Sequence, residues 1–426
     1  MHLYELPMIC ILAGVALYAV LGGADFGAGL WQLTSILAPG RSDAQRRAAA
    51  RVREHAHHSM GPVWEANHVW LIFVLTVTWT AYPSAFGAIA STLAIPLFIA
   101  GLGVVFRGAA YALRAGGAKP SELGTIDTIF SLSSLLTPFA LGAMVGAIAS
   151  GRVPAGNAAG NMVTSWLNPT SALVGVLAVA VCAYMAAVYL AADAARHGER
   201  ELAEQFRARA LLAGLVAGAV AIAGLAVLHS DAHRLYARLT DGPGLAGLVV
   251  SILAGASTLA LVGARRLELA RGSAALAVVG TIAGWALAQQ PLLLVHLTLR
   301  QAAAGHETLV ALLVAIAVGA AILFPSLGLL FGLLLRGRFD PADADADAEP
   351  RVAPPWDTTP IGLLSVSSNG LRARLSLAGL LGGLGLLTAA EAPWAHALGV
   401  VSLFVCMLFA FLAVDPLELA RAQDGR

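Results

Sequence analysis

The sequence predicts an all-α polytopic membrane protein, and two observations carry that class. Of 426 residues, 58% are hydrophobic and only 12% are charged, with a mean hydropathy of +0.77. Soluble domains average about 25% charged residues. The apolar residues also fall into runs of roughly 20, the length that crosses a hydrocarbon core as a helix. Spans are expected near 8–32, 64–83, 86–113, 126–149, 169–192, 209–230, 244–264, 274–297 and 307–335, a nine-helix body. Two shorter C-terminal transmembrane helices follow near 375–391 and 396–414, or one re-entrant hairpin in their place.

The connections are justified by charge. Of 26 Lys and Arg residues, 22 fall in or beside alternate loops, those after the first, third, fifth, seventh and ninth spans and after the last. The other side holds only Arg152, Arg234, Arg238 and Arg300. Positive charge is retained on the cytoplasmic side, so the N-terminus is expected outside and the C-terminus in the cytoplasm. Met1-His2-Leu3-Tyr4-Glu5 lacks the basic n-region of a cleavable signal, so the first span is expected to be retained. Residues 193–208, rich in Arg and Glu, are expected to extend a helix as a solvated face. The Asp- and Pro-rich stretch 339–360 reads as a disordered acidic linker between a 1–338 body and a 361–426 extension.

Composition excludes several functions. A net charge of +1 argues against nucleic acid as a partner. No Walker A, dinucleotide fingerprint or H-E-x-x-H occurs. Cys10, Cys182 and Cys406 stand far apart in apolar segments, without haem-attachment or metal spacing, and read as core residues.

The polar residues inside the spans are the candidates for chemistry, because an ionisable group near the bilayer centre costs about 2.5–3.5 kcal/mol on insertion scales. With the orientation above, Asp25, Glu65, Arg107 and Asp127 lie on four consecutive helices at similar, cytoplasmic depth. One reading is a proton-loading cluster; the other is an Arg107–carboxylate bridge that ties helices together, with the remaining acids facing interfacial water. Gly22, Gly23, Gly27 and Gly29 flank Asp25, and Gly23-x-x-x-Gly27 is a spacing that lets helix backbones approach closely. Trp64, Trp70 and Trp79 read as interfacial anchors. His68, with His229 and His296 a candidate axial ligand by position, shares a helix face with Glu65 at i, i+3 and suits ligation, a proton shuttle or a hydrogen-bonded structural role. His229 and His233, at i, i+4 around Asp231, read as a loop-facing pair with metal binding as the alternative. His296 ends a span, and His55, His57 and His58 read as solvated loop, with adventitious metal binding as the alternative.

Gly22-Gly23-Ala24-Asp25-Phe26-Gly27-Ala28-Gly29 and Gly61-Pro62-Val63-Trp64-Glu65-Ala66-Asn67-His68-Val69-Trp70, in this order and separation, resemble subunit II of the cytochrome bd quinol oxidases. Phe106-Arg107-Gly108, Asp127, Asn168-Pro169 and the charged Tyr189–Arg209 connection fit as well, and the resemblance covers roughly residues 1–338. It implies a complex that oxidises membrane quinol and reduces dioxygen to water with cytoplasmic protons. It places two b-type haems and haem d in a partner, subunit I, leaving no cofactor in this chain except a structural quinone that the family can hold. It allows small accessory transmembrane subunits, implies a bacterial inner-membrane location, and puts an acid matching Glu65 on the proton route. Ala66, Asn67 and His68 depart in part from the family's usual Gly-Asn-Gln, the loop before Gly61 is lengthened by His55–Ser59, and 340–426 has no counterpart. Three readings are therefore weighed: an oxidase subunit carrying protons through Glu65 with Asp25, Asp127 and His68; a proton-coupled secondary transporter; and a scaffold whose acids are only ion-paired.

Overall fold

The computed structural model describes residues 2–37, 42–115, 120–335, 379–380 and 398–406, with backbone only for 43–46, 48, 57–66, 114–115, 120–122 and 330–335. It divides into two compact units, Met1–Leu333 and Leu334–Arg426. A 3-10 turn, Leu3–Glu5, leads into α1 (Leu6–Leu37). Then come α2 (Asp43–Ala81), α3 (Pro83–Thr92), α4 (Ala94–Ala115), α5 (Pro120–Ala149), α6 (Pro169–Arg196) and α7 (Arg200–Asp231). The short α8 (His233–Thr240) precedes α9 (Leu245–Gly263) and α10 (Leu267–Gln289). A hairpin of β1 (Leu292–Leu294) and β2 (Leu297–Thr298), antiparallel, leads through α11 (Leu299–Ala302) to α12 (His306–Leu335).

Eight helices among the described residues are long and apolar enough to cross a membrane, and Asn67–Ala81 of α2 is a shorter apolar segment. The expected spans of the body therefore correspond to real helices, with three corrections. The first concerns the connection after α1, including His55, His57 and His58, which was read as solvated loop. It belongs instead to α2, a single helix of 39 residues. Its Arg, Ala, Gln and Glu residues are strong helix formers, whatever their polarity. The second concerns the expected span 86–113, which is two helices. Pro96 lacks an N–H and its ring would clash with the carbonyl of Thr92, so the chain breaks at Leu93 (φ −104°, ψ 28°). The third concerns 274–297: the helix stops at Gln289, and His296 lies in the hairpin turn, at φ 59°.

Helix ends follow their sequence signals. Asn168 caps α6, accepting a hydrogen bond from Ser171 N at 2.9 Å, and Pro169 takes the first helical position, where a missing N–H costs nothing. The 193–208 connection is mostly helical, as expected; α6 and α7 nearly meet, separated by a turn in which Gly198 adopts φ 77°.

The helices around α1 pack through small residues, which is how membrane helices gain contact without a hydrophobic driving force between them. A side chain on Gly27 would overlap the Cys182 carbonyl of α6, and one on Gly22 would reach Asn67 of α2 at 2.8 Å. Gly23 faces Met185 of α6. The Gly23–Gly27 spacing therefore brings α1 against α6. In the second unit the described residues 379–380 and 398–406 are helical, and a Cβ on Gly379 would sit 2.8 Å from Ser402 O. The expected linker 339–360 and most of both C-terminal spans lie outside the described residues.

Candidate functional site: a buried ion pair and a cavity on one face of α5

Asp25 and Arg107 meet in the interior of the bundle. Both are essentially inaccessible, at 1% and 0% exposed. Arg107 Nη2 donates to Asp25 Oδ1 and, at 2.9 Å, to the Asp25 main-chain carbonyl. Arg107 Nη1 donates to Ser134 Oγ, whose own hydroxyl donates to Phe130 O at 2.6 Å. The guanidinium plane lies over two rings, Phe130 at 4.1 Å and Phe26 at 4.9 Å, a cation–π arrangement strengthened by desolvation. Three helices thus hold one charge pair: α1 supplies Asp25 and Phe26, α4 supplies Arg107, and α5 supplies Ser134 and Phe130.

The packing that makes this possible is local. Gly29 has no side chain because one there would overlap Ser134 and lie 3.1 Å from Arg107 Nη1. Taking two charges out of water costs several kcal/mol per ion, so the pair persists through its mutual attraction and the extra hydrogen bonds. Asp25 Oδ2 and Arg107 Nε have no partner among the described residues, nor do the buried Tyr18 hydroxyl and both side-chain polar atoms of Asn67. Buried polar atoms are normally hydrogen-bonded, often to internal water. This region of α1 and α2 is polar enough to hold it.

Asp127 stands apart from the pair. It shares the face of α5 with Phe130 and Ser134, and seven residues along a helix place it roughly 10 Å from Ser134. It lines a cavity of about 460 Å³ with Arg53, Glu54, Ala50, Ile36 and Leu123, between the end of α1, the α2 extension and the start of α5. Asn67 is fully buried against Gly22, and His68 is half-buried. The side chains of Glu65 and Trp64 lie outside the described residues, although both positions are helical. Trp70, expected at an interface, is instead 8% exposed and packs against Phe73 and Phe324. Trp79 is exposed and stacks on Phe86.

Sequence reasoning named Asp25, Arg107 and Asp127 but missed Ser134, Phe26 and Phe130. Phe26 adjoins Asp25, and Ser134 is in phase with Asp127 at i, i+7; only helix rotation brings them onto Arg107. The His229 and His233 rings lie edge to face at 5.3 Å, beside Tyr236. Among the described residues no group of three His, Cys, Asp or Glu side chains is placed to hold a metal ion.

A helical membrane protein with a desolvated Asp–Arg pair in its interior is the class that fold and site define. The chain belongs to the cytochrome bd terminal oxidase subunit II family, whose model matches residues 3–334. It is similar to cytochrome bd ubiquinol oxidase subunit 2 of Bacillus subtilis (strain 168), at 27% identity over 181 residues, 42% of this chain and 50% of that protein. It is also similar to cytochrome bd-I ubiquinol oxidase subunit 2 of Escherichia coli (strain K12), at 29% identity over 229 residues, 51% of this chain and 56% of that one. The matched region thus spans about half the length of these curated relatives. The solved structure of a bd oxidase from Geobacillus thermodenitrificans superposes with a TM-score of 0.61 at 24% identity, covering 79% of this chain and 99% of that one, a likeness of fold.

Proposed function

We propose that this chain is the haem-free subunit of a membrane quinol oxidase that reduces dioxygen to water, and that it brings protons from the cytoplasmic side toward haems in a partner subunit. The observation that carries the reading is the family match across residues 3–334, which spans all the charged helices. In this reading the proton route enters at the cavity lined by Asp127 and Glu54, with Glu65 and His68 of α2 and Asp25 of α1 as its further members. Two features support this direction: Arg53, Glu54 and Asp127 line the cavity, and the buried Asn67, Tyr18 and Asp25 atoms suit ordered water. Asp25 is held by Arg107, so its share of the work is to fix the local field, with Glu65 and Asp127 as the groups that exchange protons.

The orientation follows the arginine distribution, N-terminus outside and C-terminus in the cytoplasm. The haem-bearing subunit is the obligate partner, membrane quinol is the electron donor, and any quinone in this chain has a structural role. The proton-coupled transporter is set aside, because the helices carrying the acids belong to an oxidase family. The deciding experiment is purification in mild detergent followed by a reduced-minus-oxidised spectrum. Copurification with a b- and d-type haem partner and quinol-dependent oxygen uptake is the expected result. A haem-free homomeric preparation that transports solute would overturn the reading.

A further inference from the structure

A second cavity, of about 310 Å³, opens at the other end of α5, between the α5–α6 connection, the α7–α8 corner and the β1–β2 hairpin. Ser134, which holds the Asp25–Arg107 pair, and Ala149 are 15 residues apart on one helix, roughly 22 Å at about 1.5 Å per residue. This cavity is therefore remote from the Asp25–Arg107 pair. Its polar lining includes Ser150, Asp231, His233, Arg234, Gln289 and His296.

The charge balance of that lining points to an anion. Asp231 is its carboxylate, and it is already engaged. Oδ1 accepts from Arg152 Nη2 at 2.5 Å, while Oδ2 accepts from Thr170 Oγ1 at 2.5 Å and Thr170 N at 3.3 Å. Arg234 makes no ion pair among the described residues, and the imidazoles of His233 and His296 line the same space. A metal does not fit this lining, since no group of three suitable ligands converges among the described residues. A forked guanidinium beside the His296 imidazole suits the oxygens of a phosphate group, while His233, whose Nδ1 donates to the His229 carbonyl at 3.3 Å, borders the same space.

The geometry is built and held. His296 adopts φ 59°, a left-handed conformation that a non-glycine residue keeps only where its surroundings fix it, and such positions cluster at ligand sites. Its neighbour Val295 bridges to Pro154, and Arg238 Nε donates to Ala288 O at 2.8 Å, tying α8 to the end of α10. The ends of apolar helices mark the level at which a headgroup would lie. Long apolar helices α5, α7 and α10 all end here, and α8 buries Leu235 while exposing His233 and Arg234. Tyr236 and Trp285 lie alongside, as aromatic residues do at membrane–water boundaries. Exposed Leu245 and Val249 of the adjoining α9 offer an apolar flank for acyl chains.

We propose that this cavity binds a phosphate group, carried by an anionic lipid headgroup, through Arg234 and His296. The proposal is independent of the proton route. The test uses the full chain with the subunits that copurify with it, in neutral detergent, and follows thermal unfolding. The probes are dihexanoyl phosphatidylglycerol, dihexanoyl phosphatidylcholine and inorganic phosphate. The phosphatidylglycerol probe should raise the midpoint saturably, and the zwitterionic lipid should not. Arg234→Glu should weaken the response by ~10-fold or more, the loss of a charge-assisted contact. Arg300→Glu, a reversal on α11 outside the cavity, should leave it unchanged. His296→Gly suits the left-handed backbone, so that variant should fold normally yet respond more weakly. Saturation by inorganic phosphate alone, lost in Arg234→Glu, would keep the phosphate chemistry and assign it to a free anion. Equal responses to the two lipids, or a response indifferent to Arg234→Glu and His296→Gly, would overturn the proposal.

Discussion

Arg107 uses a single nitrogen, Nη2, to bind both the carboxylate and the main-chain carbonyl of Asp25, so the side chain of one helix grips the backbone of another. The contact fixes the height of α4 against α1 as well as balancing charge.

Removing Arg107 should therefore cost more than removing an ordinary ion pair. Arg107→Ala leaves Asp25 buried and uncompensated, a loss of about 3–5 kcal/mol that should appear as poor assembly and a lowered unfolding midpoint. The double variant Asp25→Leu/Arg107→Met should recover much of that stability, because a buried pair exchanged for apolar groups is often neutral. Oxygen reduction by the double variant is the discriminating readout. Recovered folding with lost turnover assigns the pair a part in proton delivery; recovery of both assigns it to scaffolding.

Gly27 is predicted to tolerate nothing larger. Gly27→Ala drives a methyl into the Cys182 carbonyl, and separating α1 from α6 should cost about 1–3 kcal/mol. Gly255→Ala on α9, with nothing within 4 Å of the added carbon, is the matched control. There the change should be neutral or stabilise by up to about 1 kcal/mol, through helix propensity alone. Thermal denaturation of the two variants side by side checks the contrast.

Glu65→Gln and Asp127→Asn should each lower quinol-dependent oxygen uptake about tenfold or more while leaving haem spectra and assembly intact, the behaviour of a lost proton carrier. Unchanged turnover in an intact complex would remove the residue concerned from the route.

Asp231→Ala should loosen the connection between α5 and α6. Its carboxylate holds Arg152 and Thr170 together, and losing those bonds should cost about 1–2 kcal/mol. Hydrogen exchange should quicken across 150–168 and stay unchanged across 49–56.

The spans of the body were legible because each needs only an apolar run of sufficient length. Asp25 and Arg107 were legible as members of a four-residue cluster, with Glu65 and Asp127, because charges inside such runs are costly and the loop arginines suggested a common depth; which acid meets Arg107 was not. What the sequence concealed was rotation. Hydropathy does not fix which face of α5 meets α4, so Ser134 and Phe130 could not be placed on Arg107 beforehand. Pro96 was a visible breaker, but it sat inside an unbroken apolar stretch and was read through. The 43–63 segment was taken for loop from its polarity, although its Ala- and Arg-rich composition favours helix. His296 ended an apolar run that reads equally as a span or as a buried hairpin.

The length of α2 has a mechanical consequence. A hydrocarbon core occupies about 20 helical residues, and α2 has 39, so roughly half of it forms a shaft beyond the lipid. Val52 and Ala56 clamp that shaft into the apolar cluster of α6 and α7, while His55 reaches the Leu190 carbonyl at 3.2 Å. Arg51 adds contacts to Glu199 and Glu201 at the α6–α7 turn. A hydrogen-bonded rod transmits displacement along its axis. Tilting the α6–α7 corner would thus shift Asn67 and its neighbours within the bundle, making that corner a handle on the charged interior.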